Sequence, residues 1–395
     1  MVPNGWELNS VNDLFDTNLG KMLNQEAKIK APHYRYLGNS DVRWGHFNFT
    51  NLKSMYFSEK EKNKFTLKQG DILMCEGGEV GRCSIWNSKN EIVYYQKALH
   101  RLRSKGGIVP EYFYNFMCFI AGTKALDDFT TRTSIAHLTQ EKLLKIIIKT
   151  PPKGEQKKIA NILSSWDKAI NTTNALIYNR KQHKKALMQQ LLAGEKRFSR
   201  YKGDWNEVKL SDIANIIMGS SPKSSAYNEI GEGLPLLQGN ADIKERKSRP
   251  RIHSSEITKE CQVGDILLSV RAPVGSVAKS LHHACIGRGI AAITTRMNYS
   301  QDFLYQWLLW FEARWERLSQ GSTFEAVNSN EIKSIHLIIP CIEEQEEIAA
   351  VLINGDKEIN LLEQQLADLK QEKKALMQQL LTGKRRVKVD EGEAV

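Results

Sequence analysis

The sequence predicts an α+β fold: two globular heads joined by two long antiparallel coiled-coil helices, with a pseudo-two-fold internal repeat. Three observations carry the prediction. One nine-residue segment occurs twice in identical form, each tail keeps an apolar heptad, and glycine-led strand motifs recur in the remainder.

Lys-Lys-Ala-Leu-Met-Gln-Gln-Leu-Leu at 184–192 returns at 373–381, and glycine follows each copy one residue later (Gly194, Gly383). The same offset of 189 lays Glu155-Gln156 on Glu344-Gln345, Asp167 on Asp356 and Pro151 on Pro340. Upstream the offset drifts, as loop insertions would make it. Gly70-Asp71-Ile72-Leu73 meets Gly264-Asp265-Ile266-Leu267 at 194, as Val80-Gly81 meets Val274-Gly275. Trp6, Asp13 and Gly20 meet Trp205, Asp212 and Gly219 at 199. The chain is thus one unit of about 195 residues written twice. Near-identical tails imply one partner met twice, and heads sharing only anchors imply two different ligands.

In the first tail, Ile159, Leu163, Trp166, Ile170, Ile177, Leu187 and Leu191 fall on heptad a and d positions, interrupted by Thr173, Arg180 and Lys184. In the second, Ile348, Leu352, Ile359, Leu362, Leu366, Leu369, Leu376 and Leu380 do so, interrupted by Gly355 and Lys373. A 3.5-residue period held over five heptads favours a coiled coil. Prolines before and glycines after punctuate both helices, and forty residues of helix span about 60 Å. Residues 155–197 hold nine Lys/Arg against three Asp/Glu, and residues 344–386 seven against eight. That contrast favours pairing of the two tails with each other; a homodimeric coiled coil is the alternative.

In the heads, Gly70 to Met74 and Gly264 to Val270 each read as a turn into a buried strand. Pro110 to Phe119 and Asp302 to Leu318 read as amphipathic helices, and Ile146-Ile147-Ile148 and Leu337-Ile338-Ile339 as short strands. The expected division is a first head over 1–153, its helix over 154–197, a second head over 198–342, its helix over 343–386, and a polar tail over 387–395.

A formal charge of +11 and a pI near 9.2 favour a polyanionic partner, because cations placed along phosphates release condensed counterions. No stretch approaches 18 uncharged apolar residues and the start lacks the regions of a signal peptide, so a soluble, cytoplasmic protein without membrane contact is expected. The six cysteines are scattered without a C-x-x-C pair, which suits reduced thiols. His282, His283 and Cys285 lack a second ligand cluster, so an ordinary strand or loop is the simpler reading and no metal is expected. Phosphate-loop, zinc-protease, nucleophile-elbow, adenine-methyltransferase and nuclease signatures are missing. Gly287-Arg288-Gly289-Ile290-Ala291-Ala292 fits a dinucleotide pattern, but a strand should follow it where that site requires a helix.

Doubled heads that open near Trp6 and Trp205, carry Gly-Asp-Ile-Leu and Val-Gly, and end in an Ile-rich strand, proline and Glu-Gln before a long helix resemble the specificity subunit of type I restriction–modification enzymes. The phrases Arg271-Ala272-Pro273-Val274-Gly275 and Gly287 to Ala291 are similar to ones common in that family. The resemblance covers essentially the whole chain. It implies a non-catalytic subunit whose two target-recognition domains each read one half of a bipartite, asymmetric sequence in double-stranded DNA. The helices would fix the gap and recruit two methyltransferase subunits, and restriction or translocase subunits would join them. No cofactor is then expected in this chain: S-adenosylmethionine, ATP and magnesium would belong to the partners. The rival reading is a duplicated protein- or RNA-binding scaffold without DNA sequence specificity.

Basic residues beside small, flexible ones are the DNA-contact candidates, since arginine can grip guanine while Lys, Ser and Thr position phosphate. In the second head these are Lys223, Lys244, Arg246, Lys247, Arg249 and Arg251 in a run expected to be a loop, then Arg271, Arg288 and the turn Gly321-Ser322-Thr323. In the first they are Lys21, Arg43, Trp44, Lys97 (aligned with Arg288) and Thr131-Arg132-Thr133. Arg82 and Trp86 read as packing, and His33, His46 and His100 as surface or structural. In the repeated segments, Leu187, Leu191, Leu376 and Leu380 read as seam. Met188, Gln189, Gln190, Met377, Gln378 and Gln379 are assigned to the methyltransferase partner or to closing contacts of the scaffold.

Overall fold

The repeated Gly-Asp pair shows why the anchors recur. In the computed structural model, which describes residues 2–88, 92–121, 123, 126, 131–132, 136–319 and 326–389, Gly70 and Gly264 take left-handed φ values of 85° and 93°. The following carboxylates turn back on the chain: Asp71 accepts the Lys68 N–H and Asp265 the Gln262 N–H, each at 2.7 Å. Both turns feed fully buried strands, Ile72–Cys75 and Ile266–Ser269. Asp71 also takes two bonds from Arg103 at 2.7 Å, whereas Asp265 takes one from Thr294 Oγ1 at 2.6 Å.

The chain divides into two units, one of residues 1–174 with 364–395 and the other of residues 175–363. In the first, Glu7–Ser10 pairs with Ile147–Thr150. An antiparallel sheet runs in the order Phe15–Leu19, Leu99–Ser104, Ile72–Cys75, Cys83–Ile85. A smaller sheet joins Lys53–Tyr56, His33–Leu37 and Tyr94–Tyr95, the last pair parallel. The helix Pro110–Ile120 buries Tyr112, Phe113, Phe116 and Met117 against this framework.

The second unit repeats the plan with additions. Asn206–Lys209 pairs with His336–Ile339, and the main sheet grows to six strands through the hairpin of Ile243–Lys244 and Lys247–Ser248. Ile290–Thr295 is a central strand of it, so the glycine pattern before Ile290 opens no helix. A five-stranded sheet includes Leu234–Leu237 paired in parallel with Ala284–Ile286. The helix Gln301–Ser319 is eight residues longer than its counterpart and packs Trp307, Phe311 and Trp315 inward.

The long helices are Lys153–Leu192 and Ile342–Leu380. Within each unit the first half of one runs antiparallel to the second half of the other. In the first unit Asp167 pairs with Lys373 at 2.6 Å and Glu155 with Arg386. In the second, Lys184 pairs with Asp356 at 2.6 Å and Arg197 with Glu344 at 2.7 Å. These are the same two contacts shifted by the repeat. The lysines that interrupt the apolar d positions are therefore half of a repeated ion pair. Charge contrast between the tails is realised in the second unit, where Arg180 and Lys181 meet Glu358 and Glu363.

The recurrent Glu-Gln ties helix to head. Gln156 accepts the Val109 N–H at 2.7 Å and donates to the Pro151 carbonyl at 2.8 Å. Gln345 likewise accepts from Ser300 at 3.0 Å and donates to Pro340 at 2.9 Å. Trp6, the opening anchor, donates to Glu155 at 3.2 Å.

His100 gives the first unit a pH signature. It is fully buried, its Nε2 lies 3.0 Å from the Leu138 carbonyl, and Nδ1 has no partner among the described residues. Burial lowers its pKa, so the fold holds the neutral ring. The unfolded chain binds the proton more readily, so this contribution to stability is present above the unfolded pKa and is lost as pH falls through the folded value. Melting of the first unit is expected to drop as pH falls from about 7 to about 5, and His100→Gln should flatten that slope in a calorimetric pH series.

Candidate nucleic-acid interface

Glycine contacts build a cleft in the second head. A Cβ on Gly219 would lie 2.2 Å from the Gly287 carbonyl oxygen, and one on Gly289 would lie 2.3 Å from that of Gln238. Three loops can therefore touch backbone to backbone, which only glycine permits. Their side chains Ser221, Gln238, Asn240 and Arg288, with Ser269 and Arg271 of a fourth segment, line a cleft of about 160 Å³. Two sequence candidates, Arg271 and Arg288, are thus brought together.

Each loop is braced from behind. Asp242, almost wholly buried, accepts the Gln238 N–H at 2.8 Å and pairs with Arg251 Nε at 2.8 Å. Ser269 Oγ donates to the Arg271 and Pro273 carbonyls at 3.0 and 2.8 Å. Ser221 Oγ accepts the Arg288 N–H at 3.2 Å. Arg271 makes no ion pair among the described residues and is exposed.

The run from Lys244 to Arg251, expected to be a loop, begins as a two-residue hairpin. Glu245 and Arg246 form its turn at φ 52° and 62°, where non-glycine residues are uncommon. Arg246 is committed inward: it clasps Glu312 through both terminal nitrogens, one bond measuring 2.9 Å, and donates to the Val277 carbonyl at 3.1 Å. Lys244, Lys247 and Arg249 stay exposed, as does Lys223 on the neighbouring turn.

The first head has the same frame with different occupants. Lys97 stands where Arg288 does: Gln96 and Gly287, the residues before them, donate to Leu37 and Leu237 at 3.0 and 2.8 Å. Its side chain is exposed. Arg43 is exposed on the hairpin Val42–Arg43 with His46–Phe47. Trp44 is half-buried, donating to Glu79 at 2.6 Å beside Tyr114. Lys21 sits 9% exposed, paired with Glu61 at 2.6 Å, so its ammonium serves the fold. Arg82 donates to both oxygens of Asn39, and Trp86 is core. His33 and His46 are exposed. Thr131 and Arg132 lie on a short strand pairing with Ala136–His137. Thr133, Gly321, Ser322 and Thr323 lie outside the described residues.

His282 and His283 are bonded to Ser248 at 2.7 Å and Glu260 at 2.6 Å, and Cys285 is buried in a strand. Of the segments assigned to a partner, Gln189, Gln190, Gln378 and Gln379 are exposed. Met188 is half-buried and Met377, 8% exposed, belongs to the first unit's core. Lys185, Met188 and Gln189 line a 530 Å³ groove with Trp310, Ala313 and Arg314.

Sequence reasoning passed over Ser221, Gln238 and Asn240. A signal for one was present. Gly38-Asn39-Ser40-Asp41 recurs as Gly239-Asn240-Ala241-Asp242, and both form the same short 3-10 turn capped by the aspartate.

A family model described as the type I restriction modification DNA specificity domain matches the chain twice, over residues 3–179 and 202–371. The chain belongs to that family. Such specificity subunits are not catalysts. Among relatives, the type I restriction enzyme MjaX specificity subunit of Methanocaldococcus jannaschii is 30% identical, over 98% of this chain and 95% of its own length. The MjaVIII specificity subunit of the same organism is 25% identical over 98% and 94%. Solved structures share the fold. The HsdS subunit from Thermoanaerobacter tengcongensis has a TM-score of 0.53 at 23% identity, covering 97% of this chain and 98% of that one. The S subunit from M. genitalium has a TM-score of 0.65 at 17% identity, covering 96% and 98%. No helix among the described residues of this specificity subunit is long and apolar enough to cross a membrane.

Proposed function

We propose that the two heads read the two halves of a bipartite, asymmetric DNA target, while the long helices set the unread gap and recruit two methyltransferase subunits. Restriction or translocase subunits join that assembly. Catalysis, with S-adenosylmethionine, ATP and magnesium, belongs to those partners. The observation that carries the reading is the repeated loop frame with unlike side chains at its mouth: Arg271 and Arg288 in one head, Gly77 and Lys97 at the aligned positions of the other. Equal frames dock the same way on duplex DNA, and unequal side chains select unequal half-sites.

The test is methylation sequencing of DNA exposed to the chain with its methyltransferase. One split motif is expected, and methylation without such a motif would remove the reading. The heads also predict two kinds of variant. Lys244→Ala should weaken binding to all sequences alike and lower the salt slope by about one. Arg271→Ala should relax one position of one half instead, measured by titrating matched and mismatched duplexes.

A further inference from the structure

The asparagine of the Gly-Asn-x-Asp turn occupies equivalent places in the two heads, yet only one copy is tethered. In the first head, Asn39 donates from Nδ2 to the Gly77 carbonyl at 2.8 Å, and its Oδ1 accepts Arg82 Nη2 at 2.8 Å. Both ends of that carboxamide are spent within the protein. Arg82 is placed for this by its backbone just before the strand Cys83–Ile85, where its carbonyl accepts the Cys75 N–H at 2.8 Å.

In the second head the equivalent carbonyl belongs to Ser276, which accepts the Ser269 N–H at 2.9 Å. A serine side chain is several bonds too short to repeat the Arg82 clasp. Asn240 accordingly has no side-chain hydrogen bond among the described residues, and neither does the Gln238 side chain beside it. Both are half-buried and line the cleft with Arg271 and Arg288. Their backbone is nonetheless fixed, by the Asp242 brace on Gln238 and by the glycine-only contact of Gly289. A half-buried carboxamide on a fixed backbone, with no partner among the described residues, is available to a ligand at the cleft.

We infer that Asn240, with Gln238 beside it, is a base-reading residue of the second head that takes an adenine edge in the major groove, freed by two exchanges: Ser276 stands for Arg82, and the carbonyl aligned with that of Gly77, Arg271's, is bonded by Ser269 Oγ at 3.0 Å instead. A carboxamide offers one donor and one acceptor side by side, matching adenine N7 and N6, while the flanking guanidiniums suit guanine or phosphate. The inference rests on the proposed DNA-reading role and identifies where in the second head that reading happens.

The test is selection of bound duplexes from a randomised pool by the full chain with its methyltransferase. Wild type is expected to select a split motif with an adenine in the half read by the second head. Asn240→Ala should reduce preference at that one position by about tenfold, and Asn240→Asp, now acceptor only, should shift it toward cytosine. Ser276→Arg should reproduce the alanine variant by restoring the tether. The base switch in Asn240→Asp cannot arise from unfolding, and thermal melting of each variant should match wild type. A split motif left unchanged by Asn240→Ala, Gln238→Ala and Asn240→Asp would overturn the inference while leaving the bipartite reading intact. A wild type that selects no split motif would overturn both.

Discussion

Replacing Trp315 with alanine is expected to lower the stability of the second unit by about 3–5 kcal/mol, the cost of deleting a large buried aromatic side chain. The indole is fully buried, meets Phe311 edge-on at 5.2 Å, and lies so close to Gly275 that a Cβ there would fall 2.5 Å from its ring. Its Nε1 has no partner among the described residues, so the loss is one of packing rather than of a hydrogen bond. Gly275 ends the loop that begins at Arg271, at φ 91°, and the Gly275 N–H donates to the Ser269 carbonyl at 2.8 Å. The cavity should therefore loosen Arg271 as well as the core. Denaturant unfolding of the full chain should show an earlier transition for the second unit only. A shift below about 1 kcal/mol would mean that the surrounding side chains collapse into the space.

The second large effect concerns the gap. Seven residues inserted after Thr173 and seven after Leu362 keep every downstream a and d position on the seam, because seven is one heptad. Each insertion adds about 10.5 Å of helix, which corresponds to about three base pairs of duplex. On the proposed reading, methylation sequencing of this variant should return the original two half-sites separated by about three more unread pairs. Insertion of five residues instead rotates the seam off register and should abolish methylation altogether. Altered half-sites with an unchanged gap would end the idea that the helices act as a ruler.

Much of this architecture was legible in the residues. The duplicated Lys-Lys-Ala-Leu-Met-Gln-Gln-Leu-Leu segment and the heptads located the long helices, since coiled-coil periodicity survives any change of surroundings. Gly70-Asp71 and Gly264-Asp265 located the central strands, because a left-handed turn closed by aspartate needs those residue types. Gly20 and Gly219 recur for a reason invisible in sequence, the close approach of a distant loop. Charge alone could not separate Arg271, which faces the cleft, from Arg246, which clasps Glu312, or from Lys21, which pairs with Glu61. All are cations beside small or turn residues, and only tertiary partners distinguish them. Asn240 was hidden for the opposite reason: an uncharged side chain in a turn looks like turn chemistry until its hydrogen bonds are counted.

The division of the chain also governs the order in which it can fold during synthesis. Residues 175–363 are contiguous, so the second unit has all its parts as soon as they leave the ribosome. The first unit does not. Its core includes Met377, Leu380 and Leu381, and the buried carboxylate of Glu155 meets Arg386. Until those last residues emerge, Ile159 and Leu163 have no long-helix partner and Glu155 has no cation. Domains usually complete from the N-terminus onward; here the earliest-made head should be the last to close. Nascent chains that carry residues 1–364 clear of the ribosome on an added flexible linker should accordingly protect the second unit from protease but not the first.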